Sequence, residues 1–136
     1  MTSRPRSAST YSEIWYGRHP LHIADVDDAV AFYTKALEFE LSERWGPPFA
    51  MVKRGDLTLW LSGPGSSASR PLGNGATPVS GGSNRLVLET GKLDVLIEKL
   101  KLSGARFRSN VVSGPGGRQI LVDDPSGNPI ELFESA

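Results

Sequence analysis

The residues best equipped for chemistry stand near the end of the chain and in two matched pairs upstream. The last apolar run, Pro129-Ile130-Glu131-Leu132-Phe133, follows Asp123-Asp124-Pro125-Ser126-Gly127-Asn128. That stretch reads as a tight turn: Asp-Pro starts the reversal and Ser-Gly-Asn tolerates positive φ. A strand sends alternate side chains to opposite faces, so Ile130 and Leu132 share one face while Glu131 and Phe133 share the other. A carboxylate opposite an apolar stripe is either solvated or looks into a pocket. Arg18 and Arg85 are separated by the same 67 residues as His22 and Glu89. A guanidinium presents a rigid fork of donors to carboxylates and other oxyanions. A histidine beside a carboxylate performs general acid–base chemistry or holds a structural hydrogen bond. The chain has no cysteine, which excludes disulfides, thiolate zinc sites and cysteine nucleophiles. Gly114-Pro115-Gly116-Gly117 lacks the Lys-Ser/Thr pair and the following helix of a phosphate loop and reads as a hairpin turn.

The elements that must position these residues belong to one small domain of 136 residues. Lys+Arg and Asp+Glu both number 15, so nothing points to nucleic acid or an acidic membrane as partner. No apolar run approaches the roughly 20 residues that span a bilayer. Residues 1–13 are rich in Ser and Arg and lack the apolar core of a secretory signal; they read as a flexible tail, with a transit peptide the weaker reading. The expected location is the cytoplasm. Ile14 to Ala24 reads as a first strand. Asp25 then caps a helix over about 26–38, whose apolar face is Val26, Ala29, Val30, Tyr33 and Leu37. Strands are expected at Phe39–Arg44, Ala50–Arg54 and Leu57–Ser62, the last two joined by the Gly55-Asp56 turn. Residues 63–83 are a Gly/Ser/Pro-rich linker or mobile loop. The pattern then repeats: a strand at Arg85–Glu89, a helix over about 92–103 ended at Gly104, and strands at Ala105–Arg108, Arg118–Val122 and Pro129–Phe133. The chain thus divides into a tail (1–13), a first βαβββ module (14–62), the linker (63–83) and a second βαβββ module (84–136).

The closing motif and this repeat resemble the vicinal oxygen chelate superfamily, which includes glyoxalases, extradiol dioxygenases and the fosfomycin- and bleomycin-resistance proteins. The resemblance covers about residues 14–134 and implies an α+β fold in which two βαβββ modules form a cup-shaped curled sheet with the helices outside. With Leu57, Leu59, Leu61, Leu86 and Leu88 packed under the helices, period-2 alternation turns Arg18, Pro20, His22, Thr58, Trp60, Ser62, Arg85, Val87, Glu89, Glu131 and Phe133 toward the cup. The Glu of the closing strand is commonly a metal ligand in that superfamily, and here it is Glu131. The other three ligand positions fall on Arg18, Trp60 and Arg85, which offer only donors. The metal site is therefore expected to be absent, with Arg85 or Arg18 ion-paired to Glu131. His19 turns inward only if Pro20 marks a bulge. Trp60, Phe133 and either Trp45 or Phe49 supply aromatic walls.

The resulting expectation is a bleomycin-resistance-like protein that binds a small organic molecule carrying a carboxylate, phenolate or vicinal oxygens, with no metal. Its ligand-binding residues are Arg18, His22, Thr58, Trp60, Arg85, Glu89, Glu131 and Phe133, and its partner is a second copy in a homodimer. The rival reading is a lyase, isomerase or dioxygenase with one divalent metal held by Glu131 with His19 or His22. A third is a scaffold whose cup is filled by its own side chains. The sequence assigns no reaction, and it leaves open whether the cup forms within one chain or between two.

Overall fold

The computed structural model describes residues 18–66, 79–82 and 84–136. The tail at 1–13, the start of the first strand at 14–17 and most of the 63–83 linker lie outside them. The first half runs β1 (His19–His22), α1 (Val26–Ala31), β2 (Glu40–Trp45), β3 (Phe49–Arg54) and β4 (Leu57–Ser62). The second half runs β5 (Leu86–Glu89), α2 (Leu93–Leu102), β6 (Arg106–Phe107), β7 (Val112–Gly114), β8 (Gly117–Asp123) and β9 (Pro129–Ser135).

Asp25 caps α1 as its sequence position suggests, its side chain accepting from the Asp28 amide at 3.0 Å. The helix does not stay α to its expected end. It widens to a π turn over Phe32–Ala36, and Glu38 leaves it in the left-handed region at φ 62°. The Phe39 amide then donates to the Tyr33 carbonyl at 2.9 Å, a helix-ending turn one residue wider than the usual one. Glu38 carries its side chain out of that turn to Lys99 of α2, with Nζ 3.0 Å from Oε2, and accepts from Arg54 Nη1 through its own carbonyl at 3.1 Å. The hydrogen bond and charge of Lys99, reinforced by Arg54, hold its carboxyl below the ordinary range.

The strands form two separate curled sheets, ordered β1-β4-β3-β2 and β5-β9-β8-β6, with β7 also paired to β8. β1 runs parallel to β4 and β5 parallel to β9, while the remaining pairs are antiparallel. The repeat read from the sequence reappears in the register: Pro20 sits opposite Trp60, and Val87 opposite Glu131. One strand departs from expectation. The strand expected at Ala105–Arg108 shortens to β6, and an additional short strand, β7, follows it, because the ladder is interrupted by side chains. Ser109 Oγ accepts from the Leu121 amide at 3.0 Å, and Arg108 turns to pair with Asp123 and with the Gly127 carbonyl. The Gly114–Gly117 turn lies where the sequence puts it, between β7 and β8. A side chain at Gly117 would meet the Glu134 carbonyl at 2.1 Å, so only glycine lets β8 lie against β9 there.

Each helix packs on one face of its own sheet, α1 on β3 and β4 and α2 on β9. The residues between form one continuous apolar core: Val26, Ala29 and Tyr33 from the first helical segment, Leu93, Ile97 and Leu100 from α2, and the inward members of the strands. The halves are therefore joined through their helix-bearing sides, and the opposite sheet faces stay open. Among the described residues no helix is long and apolar enough to cross a membrane.

The turn before β9 is the fastening between the halves. Asp124, buried, accepts from Tyr33 Oη at 2.8 Å, from the amides of Ser126 and Asn128, both at 2.9 Å, and from Asn128 Nδ2 at 3.0 Å. Asn128 Nδ2 also donates to the His22 carbonyl, its Oδ1 accepts from the Gly81 amide, and Ser126 Oγ accepts from the Ala24 amide. Burial, with the Asp124 charge and hydrogen bond added, pushes the Tyr33 phenol well above its ordinary range, so it stays a donor.

Candidate functional site

The open face of the second sheet is built around Glu131. Ile130 and Leu132 point into the core, so Glu131 between them points away from it. The parallel pairing of β5 with β9 sets Val87 opposite Glu131, which brings Arg85, two residues earlier, onto the same face. Arg85 Nη2 lies 3.0 Å from Glu131 Oε1. The pair is asymmetric: the Glu131 side chain is 12% exposed and that of Arg85 41%. The carboxylate is thus withdrawn from water and depends on its partner, while the guanidinium keeps an accessible edge for a second oxyanion. Cross-strand pairing adds Leu121 beside Glu131 and Gln119 beside half-buried Phe133. These two were not singled out from the sequence, although Ile120 and Val122 alternate with them and reveal their side.

The open face of the first sheet centres on Trp60, half-buried, with the Phe49 ring set edge-on at 6.0 Å. Thr58, half-buried, and Ser62, buried, flank it along β4, and Met51 sits opposite it on β3. His22 lies opposite Ser62. Trp60 Nε1 and His22 Nδ1 are both buried without a hydrogen-bond partner among the described residues. Such a group costs about 1–3 kcal/mol unless something polar meets it.

Several placements differ from expectation. His22 and Glu89 do not form a pair. They occupy equivalent positions on separate sheets, His22 half-buried and Glu89 exposed. The β1–β4 register runs without a break from His19 to His22, so Pro20 marks no bulge, and His19 shares the side of Leu21. That removes His19 from any metal set. Trp45 is 64% exposed with its Nε1 donating to Glu43, so it walls no pocket; Phe49 is the ring that meets Trp60. Arg18 is exposed at the start of the first sheet, where it mirrors Arg85 by position. Nor do the Trp60 and Glu131 faces close into a cup on one chain, since the two sheets join through their other sides.

A divalent ion does not fit these residues. Among the described residues, no three histidine or acidic side chains stand close enough to hold one. Glu131 is already ion-paired to Arg85, and the groups at the positions mirroring it are guanidinium and indole groups, neither of which can ligate a cation.

Two curled, unclosed sheets built from a repeated βαβββ unit, each with one helix on its back, define the class of fold. Residues 19–132 match the Glyoxalase/Bleomycin resistance protein/Dioxygenase superfamily, and the chain belongs to it. Among solved structures it is similar to a glyoxalase/bleomycin resistance protein/dioxygenase from Nocardioides, at 25% identity over 96% of this chain and 89% of that one, with a TM-score of 0.70. It is also similar to a lactoylglutathione lyase from Agrobacterium tumefaciens, at 22% identity over 86% and 90% and a TM-score of 0.67. An antibiotic-binding protein from a Streptomyces species aligns at 24% identity over 88% and 96%, with a TM-score of 0.64. No curated protein matches the chain.

Proposed function

We propose that this protein binds a small organic molecule bearing a carboxylate, phenolate or vicinal oxygens, and does so without a divalent metal. The observation that carries the reading is the Arg85–Glu131 ion pair at 3.0 Å. It supplies a fixed cation at the carboxylate that would otherwise recruit a metal, and the exposed edge of the same guanidinium suits an anionic ligand oxygen. Trp60 and Phe49 on the other sheet offer aromatic surface for the body of the ligand. An antibiotic-binding relative with the same fold supports a role in holding rather than transforming a molecule. The test is metal analysis of protein purified without chelator. No stoichiometric zinc, iron, nickel or manganese is expected in either the native protein or Glu131→Gln, and the variant should change ligand affinity or stability instead. Stoichiometric metal in the native protein, lost in Glu131→Gln, would move the protein to the metal-dependent lyase, isomerase or dioxygenase branch.

The same reading calls for a homodimer, in which the Trp60 face of one copy meets the Glu131 face of the other. Trp45, Val87 and Val112 are 64%, 55% and 55% exposed and lie on the open faces, opposite Phe49, Glu131 and Gln119 respectively. Apolar side chains left so uncovered are best explained by a partner surface. Light scattering at micromolar concentration should give twice the chain mass, and Trp45→Lys should shift the population toward monomer. A native protein that is monomeric throughout would rule out the shared site.

A further inference from the structure

We propose that Trp60 and His22 form a polar subsite for a neutral amide, a carboxamide or lactam on the flat body of the ligand. Its carbonyl oxygen accepts from Trp60 Nε1 and its N–H donates to His22 Nδ1. The inference rests on the binding function proposed above and adds to it a second, uncharged group, read on the first sheet and away from Arg85. Among the described residues, Trp60 Nε1 and His22 Nδ1 are the two buried side-chain nitrogens or oxygens without a hydrogen-bond partner. Native interiors leave few such atoms, and each needs a reason. Chance would scatter them, yet both stand on the open face of one sheet. The β1–β4 register sets Pro20 opposite Trp60 and His22 opposite Ser62, so His22 and Trp60 are diagonal neighbours on the same side. Phe49 lies opposite Ser62 from β3, its ring edge-on to Trp60 at 6.0 Å. Trp60 and His22 are only half-buried, while these two atoms are covered. The unliganded face has closed over its own polar edge, and a ligand that opens it recovers the cost of both atoms.

The chemistry of the two atoms chooses the ligand group. An indole N–H only donates, so it calls for an acceptor. A neutral imidazole carries one N–H and one bare nitrogen. Buried N–H groups without a partner are rarer than buried acceptors without one, which places the proton on Nε2 and leaves Nδ1 to accept. A donor and an acceptor side by side are matched by an acceptor and a donor side by side, and an amide presents both in one plane. A carboxylate offers two acceptors and leaves Nδ1 unmet, as does a ketone or an ester. A hydroxyl offers both functions on a single atom, and diagonal neighbours suit the two atoms of an amide better. An aromatic ring bearing the amide covers the open part of the indole next to Phe49.

The test uses the full chain, with benzamide, N,N-dimethylbenzamide, phenol and benzoate as probes. NMR observes the Trp60 indole proton, identified as the resonance that Trp60→Phe removes, and the His22 Nδ1 nitrogen. Benzamide should shift both, saturably. N,N-dimethylbenzamide keeps the carbonyl and lacks the N–H. It should bind about tenfold more weakly, the scale of one buried acceptor left unmet, and leave the His22 nitrogen in place. In His22→Phe the two amides should bind alike. No saturable shift of the Trp60 proton with benzamide, equal binding of the two amides to the native protein, or a preference that survives His22→Phe would overturn the proposal. So would phenol matching benzamide at both resonances, or benzoate shifting the Trp60 proton as far as benzamide does. The Arg85 site is read separately, by benzoate affinity and its loss in Arg85→Met. Benzamide failing at Trp60 while benzoate still depends on Arg85 sinks the amide subsite alone. Benzoate indifferent to Arg85→Met, with benzamide seated as expected, sinks the anion site alone.

Discussion

Asp124→Ala should lose about 3–5 kcal/mol of folding stability, the scale of breaking a buried polar network. The carboxylate is 3% exposed and accepts four hydrogen bonds. Truncation strands the Tyr33 hydroxyl and two backbone amides and takes one of the two acceptors of the Asn128 side-chain amide, and each stranded buried donor costs about 1–3 kcal/mol before water and relaxation recover part of it. The damage should not remain local. Asn128 and Ser126, which Asp124 orients, hold the backbone of the first half at His22 and Ala24. Tyr33→Phe removes only one of the four donors, and the carboxylate keeps the other three. Its loss should be about 1.5–3 kcal/mol, the worth of a hydrogen bond to a charged group. Urea unfolding of both variants measures the difference. An Asp124→Ala variant within 1 kcal/mol of the native protein, or a Tyr33→Phe variant equally impaired, would show that the turn is not the fastening described here.

Arg85→Met should cost about 2 kcal/mol, because it removes the cation and leaves the Glu131 carboxylate withdrawn from water. The figure lies below the 3–5 kcal/mol typical of a fully buried pair, since the Arg85 side chain is 41% exposed and water can enter in its place. Glu131→Gln alone should cost less, as a neutral amide keeps the shape and carries no unmet charge. Combining Arg85→Met with Glu131→Gln should recover most of the loss, leaving a coupling of about 1–2 kcal/mol between the two positions. Urea titrations of the four proteins close this cycle. If the two single losses simply add, the carboxylate is solvated and the Glu131 face is ordinary surface. The same cycle run with a bound ligand would show whether the guanidinium serves the ligand as well as Glu131.

Much of the fold can be read locally. Helical spacing of Val26, Ala29 and Tyr33, and of Leu93, Ile97 and Leu100, gives two helices whose buried faces are the ones expected. The π widening of the first is not legible in that spacing. It depends on how Tyr33 is drawn to Asp124, 91 residues away, and on Glu38 adopting a backbone conformation that glycine would favour. Likewise the break between β6 and β7 follows from Ser109 and Arg108 finding partners on β8 and in the turn beyond it.

Sequence by itself determined which side of β1, β4, β5 and β9 faces the core, since alternation is a property of the strand alone. Ile130 and Leu132 are buried for that reason, and Glu131 looks the other way. It also determined that three of the four positions matching metal ligands carry Arg18, Trp60 and Arg85, because side-chain chemistry needs no fold to be stated. Tertiary structure alone decided which arginine meets Glu131. β5 pairs with β9 and β1 with β4, so Arg85 reaches the carboxylate while its repeat-mate Arg18 belongs to the other sheet. The same pairing separated His22 from Glu89, for repeat symmetry makes residues equivalent without making them neighbours. Contact depends on strand order and on how the sheets are joined, and both are set by burial of the whole chain rather than by any one stretch of it.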